Sequence, residues 1–212
     1  MKEIVIIGAG DFGKEVAWLI EDINKICPTY IILGFLDDDI AKRGKFINGY
    51  EVLGPTDNIG VLNRFHHAAA TIAMRDSKVR ERIVKKMQYF SAWETLIHPS
   101  VSISTTSSIG HGSIVCSGAN ISVNSNVGSH AIINLNAVIE NDCSIGDFTS
   151  IMPGAVIGSH CTIGDHTLIG TNATIDTGVA LGSNVDVGSG SVVVEDVKDG
   201  LHVLGVPARK VR

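Results

Sequence analysis

A glycine motif near the start of the chain has the residue types and spacing of a phosphate-binding turn. The pattern Gly-x-Gly-x-x-Gly is formed by Gly8, Gly10 and Gly13. Between a strand and a helix, such a turn lets the backbone approach a phosphate at the helix N-terminus. An acid at the end of the next strand, where Asp37 stands, can reach a ribose or a base. These residues together indicate a nucleotide site.

The elements that would position this motif form a small α/β sheet. The sequence predicts a strand over residues 2–8, a helix over 14–25, two further strands over 31–36 and 71–74 with a loop between them, and a second helix over 77–89. This alternation predicts a half-Rossmann-like domain over residues 1–97. The basic residues of the second helix, which include Arg80, are expected to form a solvated face. Because the domain is half the size of a dinucleotide domain, a single nucleotide or a nucleotide-linked ligand fits it better.

A strict period of six residues organises the rest of the chain. Every sixth position from Ile103 to Val193 is aliphatic, and eight of these sixteen residues are followed by glycine. Neither a helix, with its period of about 3.6, nor a strand, with its period of about 2, gives this pattern. It predicts a parallel β-helix of roughly five turns over residues 98–194, with three short strands per turn. The glycines are expected to allow sharp bends, and residues 195–212 to form a C-terminal tail.

Composition and charge argue against several classes of protein. The formal net charge of −5 disfavours a nucleic-acid partner. No apolar run approaches the roughly 20 residues of a membrane helix, and the apolar run at the N-terminus is too short for a signal-peptide core. The cysteines show no CxxC pair and no metal spacing, and they are Cys27, Cys116, Cys143 and Cys161. A cytoplasmic protein with no membrane insertion and no metal is therefore expected.

Motifs from one end of the chain to the other resemble those of a known family. They are IIGAGDFGKEV (6–16), FLDDD (35–39), VLGPTDNI (52–59), IAMRDSKVR (72–80), LIHPSVSI (96–103), INLNAVIENDCSIGDFTSIMPGAVI (133–157) and GVPARK (205–210). With these motifs the chain resembles the bacterial NeuD-like sugar acyltransferases, which include sialic acid O-acetyltransferases and UDP-amino-sugar N-acetyltransferases. The resemblance implies a left-handed β-helix, a homotrimer, a nucleotide-sugar substrate in the N-terminal domain, and acetyl-CoA in grooves between neighbouring coils.

The resemblance also implies which residues form the site. In the family a histidine acts as general base beside an acid, and these two positions match Asn141 and Asp142. Asn134 matches an asparagine of the acceptor pocket. The rest of the acceptor site carries over to Gly8, Gly10, Asp11, Phe12, Gly13, Asp37, Asp38, Arg75 and Asp76. The acetyl-CoA groove would include Ser150, which matches a second family histidine, together with Ser159, Thr171, Gly188 and Ser189.

Two departures from the family pattern bear on function. Asp11 and Phe12 stand where family members often have Gly-His, and Arg75 stands where they have glycine. Asp11 would repel a pyrophosphate, whereas Arg75 could attract it or pair with Asp11. The second departure is Asn141, whose neutral amide cannot take a proton from a nucleophile.

Three interpretations of Asn141 stay open. An amino-sugar acceptor needs no base when its amine is unprotonated, which favours N-acetylation of a nucleotide-linked amino sugar in bacterial glycan biosynthesis. O-acetylation would need a relocated base, and His160 is a candidate because it lies one 18-residue turn after Asp142. The alternative, which we favour, is that His160 is one more polar turn residue, like His130 and His166. Alternatively, the protein is a catalytically silent trimer that binds ligands.

Overall fold

The computed structural model describes residues 1–57, 67–87 and 92–211. The chain divides into two compact units, Met1–Pro99 and Ser100–Arg212. The end of the helix predicted over residues 77–89 and two residues of the motif at 52–59 lie outside the described residues. Within the described ranges, no helix is long and apolar enough to cross a membrane.

The first unit is built on a mostly parallel sheet. Its strands in the described residues are Lys2–Ile7 (β1), Tyr30–Leu36 (β2), Phe46–Ile47 (β3), Tyr50–Gly54 (β4) and Ala69–Ile72 (β5). Their order is β3-β4-β2-β1-β5, and only the β3–β4 pair is antiparallel. The helices are Asp11–Ile26 (α1) and Ser77–Lys86 (α2), and a short 3₁₀ turn covers Ile40–Lys42. The predicted α/β domain with a parallel sheet is therefore confirmed.

Arg80 corrects the expectation of a fully solvated basic face on α2. Its side chain is 1 % exposed, and it shares the buried face of the helix with Ile83, while Met87 is buried just after the helix. The positions i, i+3 and i+7 lie on one side of a helix, so Arg80 follows the apolar stripe that packs against the sheet. Its guanidinium donates hydrogen bonds to the carbonyl oxygens of Met74 (2.9 Å) and Arg75 (2.7 Å). These bonds compensate for the burial of the charge.

The second unit is a β-solenoid of two-residue strands, which confirms the coil predicted by the period of six. After Leu96–Ile97 (β6), the strands are Ser102–Ile103 (β7), Ser108–Ile109 (β8), Ile114–Val115 (β9), Asn120–Ile121 (β10), Asn126–Val127 (β11), Ile132–Ile133 (β12), Val138–Ile139 (β13), Ser144–Ile145 (β14), Ser150–Ile151 (β15), Val156–Ile157 (β16), Thr162–Ile163 (β17), Leu168–Ile169 (β18), Thr174–Ile175 (β19), Ala180–Leu181 (β20), Asp186–Val187 (β21) and Val192–Val193 (β22).

These strands stack into three parallel sheets, one on each face of the coil. The faces run β7-β10-β13-β16-β19-β22, β8-β11-β14-β17-β20 and β9-β12-β15-β18-β21. Each residue pairs with the one 18 positions further on, as Ser150 does with Leu168. Beyond β22, His202–Gly205 (β23) pairs in parallel with β21, and Ala208–Lys210 (β24) turns back antiparallel to β23. Part of the expected C-terminal tail thus extends the third sheet.

The repeated aliphatic residues fill the centre of the coil. Those from Val115 to Val193 are all buried in one core. Ile103 is 36 % exposed, because β7 is the first strand of its stack. Cys143 and Cys161 belong to the same core, and their thiols donate to the carbonyl oxygens of Gly158 (3.2 Å) and Asp176 (3.1 Å). Both cysteines are therefore packing residues.

The corners of the coil differ from the expectation about glycine. At the corners from Gly112 to Gly190, the left-handed residue lies three positions after an aliphatic residue, and at nine of these corners it is not glycine: Asn124, His130, Asn136, Asp142, Phe148, His160, His166, Asn172 and Asn184, with φ between 53° and 62°. The glycines that directly follow the aliphatic residues have no positive φ. They are needed for close approach, since a Cβ on Gly128 would lie 2.5 Å from Asp147 Oδ1 on the next turn.

Candidate active site

One corner of the coil holds Asn141 and Asp142, directly after β13. Asp142 adopts the left-handed conformation, with φ 59°. Asn141 Nδ2 donates to Asp142 Oδ2 at 2.7 Å, and Asn124 Nδ2, one turn earlier, donates to Oδ1 at 3.1 Å. The hydrogen bond from Asn141, followed by that from Asn124, lowers the pKa of Asp142. The carboxylate is therefore ionised at neutral pH.

His160 lies beside Asp142 on the next turn, where the 18-residue spacing predicts it. His160 Nδ1 is 3.9 Å from Asp142 Oδ2, and its side chain is 63 % exposed. This distance permits an ion pair with a protonated ring but is too long for a hydrogen bond. His130 and His166 have other surroundings, because each stacks on Phe148 with ring centroids 5.1 Å apart. His160, in contrast, faces the carboxylate of Asp142.

Ser159 contacts Asn141 directly, since the two are 18 residues apart. Ser159 Oγ lies 2.8 Å from Asn141 Oδ1 and 2.8 Å from Glu140 Oε2. The backbone N–H of Ser159 also donates to Glu140 Oε2, at 2.9 Å. Ser159, predicted in the acetyl-CoA groove, is therefore on the Asn141 corner. Glu140 was missed by the sequence interpretation, although its place directly before Asn141 and one turn above Gly158 could have identified it.

Asn134 and Ser150 are both buried near β12. Asn134 directly follows that strand, is 3 % exposed, and accepts a hydrogen bond from Leu135 N at its Oδ1 (2.7 Å). Ser150 lies in β15, is 2 % exposed, and pairs in register with Ile132. These two residues are thus close in the fold, on the face formed by β9, β12, β15, β18 and β21.

The other predicted acetyl-CoA residues share the corner that follows this face. Thr171 and Ser189 are 18 residues apart, after β18 and β21, and Gly190 N donates to Thr171 O at 2.8 Å. A side chain at Gly188 would overlap Leu204 of β23. The structure therefore brings Thr171, Gly188 and Ser189 together and places Ser159 at a different corner, after β16.

In the first unit, the three motif glycines have different structural roles. Gly8 has φ 105°, and a Cβ there would lie 2.9 Å from Ala73 O. A Cβ on Gly13 would overlap the carbonyl oxygen of Gly8, so this glycine allows α1 to pack closely against the turn. Gly10 has open space around it and is the N-cap of α1, with no side-chain capping bond. The open position at the helix N-terminus is suited to a phosphate.

Asp37 supports this turn through its own hydrogen bonds. It is 8 % exposed, its Oδ2 accepts from Ala9 N (2.8 Å) and Lys42 Nζ (3.0 Å), and its Oδ1 accepts from Asp39 N (2.9 Å). Burial alone would raise the pKa of Asp37, but the two backbone N–H groups and Lys42 outweigh it and lower the pKa. Both carboxylate oxygens thus bind the protein's own donors.

The other predicted acceptor residues are divided between surface and interior. Asp38 Oδ1 accepts from both Thr56 N and Thr56 Oγ1, at 2.7 Å. Phe12 is 5 % exposed and is a core residue of α1. Asp76 is the N-cap of α2, and its Oδ1 accepts hydrogen bonds from the backbone N–H groups of Lys78 (2.9 Å) and Val79 (3.1 Å).

Asp11 and Arg75 are close enough to interact electrostatically. Asp11 is exposed and pairs with Lys14 at 2.9 Å, and this hydrogen bond is the largest cause that lowers the pKa of Asp11. The charges of Arg75 and Lys42 lower it further, to a smaller extent. Three cationic side chains thus favour the charged form of Asp11, and Lys14 is its direct partner.

Arg80 connects this region to the sheet and was missed as a site residue. Its two hydrogen bonds hold the carbonyl groups of Met74 and Arg75, in the segment whose Ala73 O packs against Gly8. Burial lowers the pKa of Arg80 to about 10, so the guanidinium remains charged at neutral pH. The helical spacing of Arg80 with Ile83 and Met87 is the sequence signal that could have revealed its position.

This α/β unit followed by a hexapeptide coil defines a class of acyl-transferring proteins. The family model for the PglD N-terminal domain matches residues 3–87. Models for the bacterial transferase hexapeptide and for the hexapeptide repeat of succinyl-transferase match residues 136–167 and 161–195. The chain belongs to the hexapeptide-repeat acetyltransferases with a PglD-like N-terminal domain, so the resemblance to sugar acyltransferases is confirmed at this level.

Solved structures similar to the chain cover its whole length. The acetyltransferase domain of PglB from Neisseria gonorrhoeae FA1090, in complex with acetyl coenzyme A, is 31 % identical over 99 % of both chains, with a TM-score of 0.88. WeeI from Acinetobacter baumannii AYE is 30 % identical over 100 % of both chains, with a TM-score of 0.85. No curated protein matches the chain by sequence.

PerB from Caulobacter crescentus, in complex with CoA and GDP-perosamine, is 28 % identical over 100 % of this chain and 98 % of its own, with a TM-score of 0.89. A variant of this perosamine N-acetyltransferase in which a histidine is replaced by asparagine is known in the same complex, and it matches equally well.

Proposed function

We propose that this protein transfers the acetyl group of acetyl-CoA to the amine of a nucleotide-linked amino sugar. The observation that carries the proposal is the full-length likeness to two acetyltransferases, one in complex with acetyl coenzyme A and one with CoA and GDP-perosamine. The 28–31 % identity spans both units, so the similarity includes the nucleotide turn as well as the coil. Acetyl-CoA is the co-substrate, and the nucleotide sugar is the acceptor.

Asn141 takes the position of the family's basic histidine in this proposal. The motif 133–157 supports the assignment, and Asn141 is held in place by Asp142 and Ser159. The asparagine variant of the perosamine enzyme, in complex with both ligands, supports the view that an active-site asparagine is compatible with ligand binding. Asn141 therefore orients the reactants and does not take up a proton.

The reaction suits an acceptor that is already nucleophilic. The lone pair of the unprotonated amine attacks the thioester carbonyl carbon, a C–N bond forms, and the C–S bond breaks to release CoA as a thiolate. The nitrogen must then lose one proton. Sugar amines titrate near the α-amino value of about 8, so a useful fraction is unprotonated at neutral pH.

The first unit would bind the nucleotide. The open N-terminus of α1 at Gly10 is suited to a phosphate, and Lys14, Lys42 and Arg75 supply positive charge nearby. The acetyl-CoA groove would include the corner of Thr171, Gly188 and Ser189. The same proposal includes a left-handed coil, a homotrimer and a cytoplasmic role in bacterial glycan biosynthesis, which rest on the resemblance. It also includes the division into residues 1–97, 98–194 and 195–212, which rests on the strand–helix alternation and the period of six.

Sugar O-acetylation is a second candidate, because His160 faces the ionised Asp142 at 3.9 Å. A hydroxyl needs its proton removed during the attack, and a histidine oriented by a carboxylate could remove it. The catalytically silent trimer is a third candidate, which the neutral Asn141 favours.

Release of CoA thiol tests these candidates. The full-length protein is incubated with acetyl-CoA and UDP-, GDP- or dTDP-linked amino sugars, and with analogues that carry a hydroxyl in place of the amine. We expect thiol release that depends on the amine. Release with the hydroxyl analogues alone would support O-acetylation, and acetyl-CoA binding without any release would overturn both enzymatic proposals.

A further inference from the structure

The hydroxyl of Ser159 has two acceptors and only one hydrogen. Its Oγ lies 2.8 Å from Glu140 Oε2 and 2.8 Å from Asn141 Oδ1. A serine hydroxyl donates a single hydrogen bond, and neither an ionised carboxylate nor an amide oxygen can donate in return. One of the two short contacts therefore lacks a hydrogen when Glu140 is ionised.

Rotating the Asn141 amide does not supply the missing hydrogen. Asn141 Nδ2 donates to Asp142 Oδ2 at 2.7 Å, so a rotated amide would place two acceptor oxygens against each other at that distance. Asp142 also accepts from Asn124 and is held ionised, so it has no proton to share. The orientation of Asn141 is thus set by Asp142.

One added proton completes the network. If Glu140 carries it, Glu140 Oε2 donates to Ser159 Oγ, and the hydroxyl hydrogen of Ser159 turns to Asn141 Oδ1. Every contact of 2.7–2.8 Å among these side chains then has one donor and one acceptor. The corner can therefore accept one proton at the Glu140 carboxylate, which the Ser159 hydroxyl connects to Asn141.

We propose that Glu140, acting through Ser159 Oγ, accepts the proton that the sugar amine loses during acetyl transfer. The inference rests on the proposed function, which places the amine beside Asn141. As the C–N bond forms, the nitrogen passes its proton to Ser159 Oγ, and the Ser159 hydroxyl hydrogen passes to Glu140 Oε2. The C–S bond breaks and CoA leaves as a thiolate, which recovers the proton from Glu140 through solvent.

The surroundings of Glu140 distinguish this route from one through His160. Among the described groups, the charge of Glu140 acts on Cys143, and the pair of Asp142 and His160 lies at the adjacent corner positions. His160 lies 3.9 Å from Asp142 Oδ2, without a hydrogen bond to it. Ser159, in contrast, is within hydrogen-bonding distance of both Glu140 and Asn141. The continuous chain of short contacts thus leads to Glu140.

Glu140→Gln tests the relay while it keeps an oxygen for the backbone N–H of Ser159. We expect kcat to fall by about 10²-fold or more, the usual contribution of a positioned proton acceptor, with little change in KM for acetyl-CoA. Because the amine itself titrates near about 8, the loss of kcat should persist above that pH, where the amine is already unprotonated. Ser159→Ala should have a similar effect, and Ser159→Thr, which retains a hydroxyl, should recover most of the lost turnover.

Asp176→Asn is the matched control, because Asp176 is an exposed corner carboxylate in the same column, 36 residues after Glu140, and accepts from Thr177 N at 2.8 Å. It should leave kcat and its pH profile at wild-type values.

A double variant separates proton transfer from a structural role. Asn141→His places a basic side chain at the attack point, so it should restore turnover to Glu140→Gln if only proton transfer was lost. Wild-type kcat and pH profile in Glu140→Gln would overturn the relay, as would a loss that Asn141→His does not restore. Wild-type protein with no transfer to any amino sugar would instead overturn the proposed function.

Discussion

The variant Asp37→Asn tests whether the Asp37 carboxylate stabilises the fold of the first unit. The carboxylate accepts from Ala9 N and Lys42 Nζ at one oxygen and from Asp39 N at the other. An asparagine has only one acceptor oxygen, so in either orientation of the amide at least one of these donors faces an NH₂ group. Loss of one hydrogen bond to a charged, buried acceptor costs about 2–3 kcal/mol.

Urea unfolding of the full chain, followed by tryptophan fluorescence, measures this cost. Both tryptophans, Trp18 and Trp93, lie in the first unit, so their fluorescence reports its unfolding. Asp37→Asn should lower the free energy of unfolding by about 2–3 kcal/mol at pH 7. Asp39→Asn is the matched control, because Asp39 is exposed and its side chain accepts from Ala41 N alone among the bonds described. It should lose only a small fraction of that amount.

The pH dependence gives a second check on Asp37. Its pKa is lowered in the folded state, so its contribution is complete above the unfolded value of about 4 and is lost as the pH falls through the folded pKa. The difference between wild type and Asp37→Asn should therefore be constant at neutral pH and shrink in acid. Equal stability of the two proteins at pH 7 would refute the structural role of Asp37.

Three further predictions follow from the contacts. Gly13→Ala should prevent stable folding of the first unit, because its Cβ would overlap the carbonyl oxygen of Gly8. Gly10→Ala should leave the urea midpoint unchanged, because its Cβ meets nothing within 4 Å. Similar midpoints for the two variants would contradict this contrast. Arg80→Met should raise KM for the nucleotide sugar more than KM for acetyl-CoA, because the carbonyl oxygens of Met74 and Arg75 lose their donor. Equal changes of the two KM values in steady-state assays would contradict this prediction. His160→Ala should preserve turnover and its pH profile, and a loss of either would favour the relocated base.

The coil could be predicted from the sequence because one period encodes it. An aliphatic residue at every sixth position suffices to stack strands 18 residues apart, as Ser150 and Leu168 are stacked. The same spacing placed His160 next to Asp142. The left-handed corners were missed because Asn, Asp, His, Phe and Gly all occupy them, so no single residue type marks the position. Asn, Asp and His tolerate this conformation better than most residues.

The contacts of individual polar side chains could not be predicted in the same way. A motif places Asp37 at the end of a strand, but whether its carboxylate faces a ligand or the N–H of Ala9 depends on the path of the backbone. Arg80 was assigned to solvent by its residue type, although its spacing with Ile83 and Met87 indicated the buried face. Glu140 lies in the motif at 133–157, but the motif assigned it no role, and the role proposed for it depends on the position of Ser159 one turn later.

The position of the acetyl group on the product shows whether the protein is an amino-sugar N-acetyltransferase. After incubation of the wild-type protein with acetyl-CoA and a nucleotide-linked amino sugar, two-dimensional NMR of the isolated product distinguishes an amide from an ester. We expect a single acetyl group on the sugar nitrogen, formed by a protein that has asparagine at position 141. An ester on a sugar oxygen, or no acetylated product from any amino sugar, would contradict it.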